Sequence, residues 1–450
     1  MKRLSSANFA LCFLLCLLPP LFARGEATVT LITCGPGDEV WEKFGHNMLW
    51  VHDPERGVDY AYNWGLFDFD QPNFIGNFIR GRMVYWMDGW EPRSALGPYW
   101  QQKRLVTMQR LKLTPQQIDK MARLCEENRQ PANASYKYDY FRDNCSSRVR
   151  DMIDDSSDGQ FRKVLEAAKP SGLSYRQHAM RLMQDDFWLS LGIDFCLGPR
   201  VDVPLTPWQE CFLPARLSTF AAPMAVDTWN PWESNRPAEP ENVPNRVPLL
   251  GITGVVLAGL LLLASRFRAG LGRWFLGIWW LISGFGGCFL IFAQTTDHWA
   301  SHWNQNILHF SPLAIVALGL LIERGRRTTL IVGGVAVLLS AIAAVLFAGH
   351  ILPMEAAPFI TLLLPINIAL VPAVIALWLR LPNRRAAARG VAIAIVVISV
   401  IALLLHLVGV LTQANGGFIA LSLPLDLAAI FVVRPPRLTP APAASELPAE

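Results

Sequence analysis

The chain has 450 residues, 52% of them hydrophobic and 17% charged, with a net charge of +4 and a mean hydropathy of +0.28. Soluble domains carry about 25% charged residues, so these totals exclude a wholly soluble protein and a disordered one. The positive balance is weak and dispersed, and gives no reason to expect nucleic acid as a partner. The shortage of charge is also uneven. Lysine stops at Lys169, and acidic residues are sparse beyond Val247. A water-facing domain joined to a membrane domain explains both features.

Met1 to Ala27 has the order of a secretory signal. Lys2 and Arg3 precede an apolar run from Phe9 to Leu18, Pro19 and Pro20 break it, and small residues come next at Ala23, Gly25 and Ala27. A short membrane anchor is the other reading, and either one exports the domain that begins at residue 28. Cys12 and Cys16 lack the preceding small residue that lipidation needs.

Residues 28–221 mix strand and helix signals at ordinary charge, as an α+β domain does. ATVTLITC is β-branched and alternating, and HNMLWVHD and VDYAYNWGLFDF read as two more strands parted by the turn DPERG. Thr114-Pro115 opens a helix running through LCEEN, with Thr114 as N-cap and Gln117 completing a capping box. Residues 222–246, rich in Pro, Trp and Asn, read as a linker near a membrane surface, where Trp is favoured.

Seven apolar runs occupy the rest of the chain, at about 247–264, 274–293, 307–322, 329–349, 358–379, 391–412 and 418–433. A spanning helix needs roughly 17–25 apolar residues, so five qualify readily, while the third and seventh are marginal and Asp426 weakens the seventh. Arginine clusters come after the first, third, fifth and seventh runs, for example Arg266, Arg268 and Arg273, or Arg324, Arg326 and Arg327. The stretches after the second, fourth and sixth runs contain no Lys or Arg. An all-α bundle of seven spans over 247–433, with the N-terminal domain outside and the tail 434–450 inside, satisfies the positive-inside rule at every loop.

The exported domain holds five cysteines: Cys34, Cys125, Cys145, Cys196 and Cys211. An odd number in an oxidising compartment leaves at least one unpaired. No CxxC or HxxxH pair occurs in residues 28–221, so neither a metal nor a cofactor is implied. Cys145 stands out, because Asp143 or Asn144 can cap a helix starting at the cysteine. A thiol there feels the positive end of the helix dipole, and Arg148 and Arg150 add positive charge. A structural cysteine beneath a cap is the bland alternative. A nucleophilic thiolate also needs a base and a group that orients it. Among the three histidines His46 is favoured, at the head of a strand after a glycine that allows close backbone approach. His52 beside Asp53 reads as solvated, and His178 has no constellation around it. For the orienting group Asn63 is favoured over Asp59, since an asparagine can hold an imidazole tautomer.

The segments TCGPGDEVWEKFGHNML, YNWGLFDFDQPNF and YDYFRDNCSSRVRD together resemble the periplasmic Lnb-type domain of bacterial lipoprotein N-acyltransferases over about residues 28–200. TDHWASHWNQNILHFSPL is similar to a second signature in that family's membrane part. The resemblance implies a permuted papain-like α+β fold with Cys145 as nucleophile and His46 as base. It also implies a place in the bacterial inner membrane with the catalytic domain facing the periplasm. The reaction implied moves a fatty acyl group from a phospholipid donor, through a cysteine thioester, to the N-terminal amine of a diacylglyceryl lipoprotein acceptor. No nucleic acid takes part, and the bilayer itself is a partner. Asp297, His298, Asn304 and Asn306 in the loop after the second run then read as a polar group at the membrane face, with interfacial residues as the plain alternative. Two other functions fit a thiol and a histidine: an envelope cysteine peptidase or amidase, marked by a polar open cleft, and a non-catalytic membrane binding module, marked by a Cys145 buried away from His46.

Overall fold

The computed structural model describes residues 26–321 and 384–433, which divide into two compact units. The signal segment up to residue 25, the fourth and fifth apolar runs and the tail from 434 lie outside the described residues.

The first unit runs to Phe78 and adds Arg82–Gly172 and Leu205–Glu239. In chain order its elements are β1 (Thr28–Cys34), β2 (His46–Asp53), β3 (Val58–Leu66), α1 (Phe74–Arg80, which ends across the unit boundary), β4 (Val84–Trp90), α2 (Pro92–Gln101), β5 (Val106–Leu111), α3 (Pro115–Arg129), β6 (Ser135–Lys137), α4 (Cys145–Ser156) and α5 (Gln160–Ala167). The chain then gives α6 (Tyr175–Leu182) and α7 (Phe187–Cys196) to the second unit before returning with α8 (Pro214–Ala221) and β7 (Ala225–Trp229).

Seven strands form one antiparallel sheet in the order β6-β4-β3-β2-β1-β5-β7. The period-two pattern of the first three strands divides the core between the two faces. Val29, Leu31, Leu49, Val51, Tyr62 and Trp64 pack with Met121 of α3, with Val149 and Ile153 of α4, and with Leu217 of α8. On the other face Ile32, Met48, Ala61 and Met108 pack with Ala95 and Leu96 of α2. α3 starts where its capping box does, at Thr114 with Gln117. The stretch 222–246, expected as a linker, instead supplies β7 on the sheet edge and a strap across α2's end. Trp232 donates from Nε1 to the Arg104 carbonyl (2.8 Å), and Arg236 donates to the Gln102 carbonyl (2.9 Å) while pairing with Asp38 (2.7 Å). Its Trp and Arg side chains find partners on the domain, so a lack of periodicity is not a lack of structure.

The second unit contains α6, α7 and the apolar helices α9 (Val247–Phe267), α10 (Ala269–Ala293), α11 (Leu313–Leu321), α12 (Arg384–Leu407) and α13 (Gly416–Val432). Among the described residues three helices are long and apolar enough to cross a membrane: Val247–Phe267, Ala269–Ala293 and Arg385–Leu407. The third sequence run is not one straight helix. Trp299–Leu308 and Leu313–Leu321 meet at a 45° bend, where Pro312 disfavours helical backbone in the residue before it. α13 has 17 residues with Pro424 inside it, and its buried Asp426 accepts a hydrogen bond from Trp279 Nε1 at 2.9 Å.

Candidate active site

Two tight backbone approaches put the site at the end of the β2–β3 hairpin where His46 lies. Gly45, just before β2, has φ +77°, and a Cβ there would lie 2.6 Å from the Cys34 carbonyl oxygen. Only glycine satisfies both demands, and it delivers His46 into register opposite Cys34. The β2–β3 register sets Met48 opposite Asn63. Asn63 is thus the diagonal neighbour of His46 on the same face, within reach of an imidazole. His46 Nε2 donates to Asn63 Oδ1 at 2.6 Å, which leaves Nδ1 to receive a proton.

Cys145 arrives from the opposite face as the first residue of α4. Asn144 is the N-cap: its Oδ1 accepts from the Ser147 backbone N–H at 2.9 Å, and Ser147 Oγ accepts from the Asn144 N–H at 2.8 Å. The amide nitrogen of Asn144 donates to the carbonyls of Tyr140 and Phe212, each at 2.9 Å. Ser146 Oγ donates to the Cys211 carbonyl at 2.6 Å. The helix start is therefore pinned by a segment more than sixty residues away. Asp143 holds Arg148 through Nε (2.5 Å) and Nη2 (2.7 Å), and the guanidinium lies 4.2 Å from the Tyr136 ring centroid. The last step across the sheet depends on Gly65. Its φ is +91°, it sits in the register shift of β3 against β4, and a Cβ there would lie 3.3 Å from Cys145 Cβ. A side chain at this bulge would press on the thiol-bearing residue.

Cys145 is 8% exposed. Burial alone would raise its pKa, but the charge and hydrogen bond of His46, with backbone N–H groups of Asn47 and Ser146 directed at the sulfur, outweigh burial and bring the thiol below its ordinary value. His46 moves the other way. Burial opposes its charge, yet Cys145 and then Asn63 raise its pKa above the ordinary value. Both shifts run in the direction that favours a thiolate–imidazolium pair over the neutral pair. The other described cysteines of this unit are pushed up by burial, Cys34 and Cys211 each to about 12, and Cys125 is raised as well. Chemistry that needs a thiolate has one candidate among them.

Tyr99 stacks on His46 (centroids 6.2 Å apart, planes 17° apart) and carries the Arg104 guanidinium 4.7 Å from its own centroid. Arg104 is buried and pairs with Glu42 at 3.1 Å, so the nearby cation is largely neutralised. A cavity of about 190 Å³ opens beside Asn63, lined also by Glu42, Trp90, Ser94, Tyr99 and Arg104. His52 lies apart and faces Asp59 at 3.2 Å. No group of His, Cys, Asp and Glu suited to a metal ion occurs among the described residues.

Residues 23–179 match the family model of the Lnb N-terminal periplasmic domain. This stretch is an Lnb-type periplasmic domain. No curated protein and no solved structure matches the chain. The Lnb match ends at residue 179, but the compact unit containing Cys145 also needs Leu205–Glu239, which supplies β7 and the carbonyls holding α4. Of the groups around this Lnb thiol, sequence reasoning alone does not single out Gly65, Tyr99, Arg104 or Glu42. Gly65 does carry a signal, since an isolated glycine inside a strand pattern marks a bulge or a close approach. The Arg104–Glu42 pair carries none, because its members are sixty-two positions apart.

The loop residues Asp297, His298, Asn304 and Asn306 belong to the second unit. Asp297 and His298 are exposed, whereas Asn304 and Asn306 are buried. The amide groups of the two asparagines donate to the Phe195 carbonyl (2.8 and 3.0 Å), and Asn304 also to that of Leu197 (3.0 Å). They satisfy carbonyls at the end of α7 that have no partner within the helix. The backbone N–H of Gln305 donates to Gln413 Oε1 (2.6 Å), that of Gln413 donates to Gln305 Oε1 (3.0 Å), and Asn415 donates to Asn306 (3.0 Å).

Proposed function

We propose that the protein is a membrane-bound cysteine acyltransferase that N-acylates bacterial lipoproteins at the inner membrane. The observation that carries the reading is the Cys145–His46–Asn63 arrangement in an Lnb domain on a chain with membrane-length apolar helices. Cys145 thiolate attacks the ester carbonyl of a phospholipid. A C–S bond forms, the C–O bond breaks, and the His46 imidazolium gives its proton to the departing lysolipid oxygen. The α-amine of a diacylglyceryl-cysteine then attacks the thioester. The C–N bond forms, His46 takes the amine's proton, and the thiolate leaves, which restores the starting ion pair. Asn63 keeps the imidazole ring turned so that one nitrogen faces the sulfur.

Mass spectrometry of lipoprotein N-termini tests this in bacteria lacking any other N-acyltransferase. Triacylated termini with the wild type and only diacylated termini with Cys145→Ala are the expected result, and triacylated termini with Cys145→Ala sink it. A second reading, hydrolysis of cell-wall peptides, draws on the polar cavity beside Asn63. Release of cleaved muropeptides by the wild type, with no triacylated termini, would favour it.

A further inference from the structure

A strip of stacked aromatic side chains begins beside the Cys145 thiol and ends in an exposed apolar lobe. Gly65 lies against the Cys145 side chain, and Phe67 comes two residues later. The Phe67 ring stacks on Tyr85 (5.0 Å, 22°), and Tyr85 stacks on Tyr138 (4.1 Å, 24°). Tyr138 feels the charge of Cys145, so this end of the strip is close to the sulfur. In the outward direction Phe67 meets Phe69 (5.0 Å) and Trp41 (6.1 Å), and Phe69 meets Phe74 of α1 (5.1 Å) and Trp41 (5.3 Å).

The outer end is exposed. Trp41, Phe69, Ile75 and Phe78 are 52, 55, 66 and 59% exposed, and α1 buries none of its residues. Contiguous exposed apolar groups mark binding surfaces. The strip has ring faces and edges along its length, and the acidic Asp68 and Asp70 alternate with Phe67 and Phe69 in the sequence and are exposed. A surface that is long and lined with aromatic rings, and that leads to a nucleophile, suits a flexible hydrocarbon chain. The same polypeptide carries membrane-length helices, so lipid is at hand.

We propose that this strip is the acyl-chain site, holding the fatty chain of the lipid donor and of the Cys145 thioester, with the Trp41, Phe69, Ile75 and Phe78 lobe as its mouth. The proposal rests on the acyltransferase reading and names where the chain lies. Each further methylene moved out of water adds to binding, so such a site discriminates between long and short chains.

The test uses the full-length protein in one detergent throughout and two p-nitrophenyl esters, butyrate and palmitate. Nitrophenolate release gives the rate, and intact mass gives the acyl adduct on Cys145. Phe69→Ser with Phe78→Ser should lower the palmitoyl-to-butyryl rate ratio by about tenfold, the change that roughly 1.4 kcal/mol makes. Val226→Ser, at an exposed apolar position on β7 outside the strip, should leave the ratio alone. A palmitoyl group with a terminal photoreactive diazirine, loaded on wild-type Cys145, should crosslink to Trp41 and to residues 67–85. An unchanged ratio, or crosslinks confined to other segments or to a second copy of the chain, overturns the strip while leaving the thioester intact. Absence of any Cys145 adduct from either ester removes the acyltransferase reading and the strip with it.

Discussion

At the scale of single residues, the reactivity of Cys145 is set by a contest that burial loses to His46. Removing the imidazole leaves burial as the main influence on the thiol, so the pKa of Cys145 must rise. His46→Ala should cut the rate of Cys145 alkylation by iodoacetamide at neutral pH by at least about tenfold, the change in thiolate fraction made by one pKa unit. In the wild type the lowered Cys145 and the raised His46 bound a pH window. Acylation should fall at low pH as the thiolate takes up a proton, and at high pH as the imidazolium loses the proton it gives the leaving oxygen. A wild-type alkylation profile with the midpoint of an ordinary thiol, unmoved in His46→Ala, contradicts the ion pair. Gly65→Ala makes a second test. Alanine must adopt φ +91° and place a methyl 3.3 Å from Cys145 Cβ, a strain of roughly 1–3 kcal/mol. The fold can absorb that much, whereas the alignment of sulfur and imidazole has little slack. Acylation should therefore fall more than tenfold with far-UV circular dichroism unchanged.

At the scale of elements, α4 is both the core's main helix and the carrier of the thiol, and Asn144 serves each role. It caps the helix with its oxygen and ties it to Tyr140 and Phe212 with its nitrogen. Asn144→Ala loses the cap, worth about 1 kcal/mol, and strands two carbonyls. Asn144→Asp keeps the cap and sets a carboxylate against those carbonyls. Both should lower the thermal midpoint by roughly 5 °C or more, and a fall in the alanine variant alone would show that the cap, not the tether, matters. The contrast explains what can be read from sequence. The three leading strands, the Thr114 cap and the DNC helix start are local patterns, and each matches an element that forms. Residues 205–239 build the far side of the same unit through Cys211, Phe212, β7 and the Trp232–Arg236 strap. Those contacts join residues separated by 65 to 198 positions, so no window along the chain reveals them, and proline and tryptophan there read as a linker. The bent third run is half legible, since Pro312 announces a break but not the hydrogen-bonded turn before it.

At the scale of the whole molecule, charge patterning fixes an orientation independently of side-chain geometry. The residue that joins α9 to α10 is Arg268, flanked by Arg266 and Arg273, whereas residues 294–306 between the second and third runs hold no Lys or Arg. Moving short arginine-rich loops across a bilayer is strongly disfavoured, so the arginine loops are expected on the cytoplasmic side. An Lnb periplasmic domain ahead of the first run demands the same orientation from the other direction. Fusions of alkaline phosphatase, which is active only after export, should be active when joined after Ser301 and inactive when joined after Arg268 or Arg326. Fluorescent protein fusions at the same points should give the reverse pattern. Activity after Arg326 would put an even number of crossings between the Lnb domain and a cluster assigned to the inside. It would refute the seven-span count and the placing of the 294–306 loop on the thiol's side of the membrane, yet leave the Cys145–His46 geometry untouched.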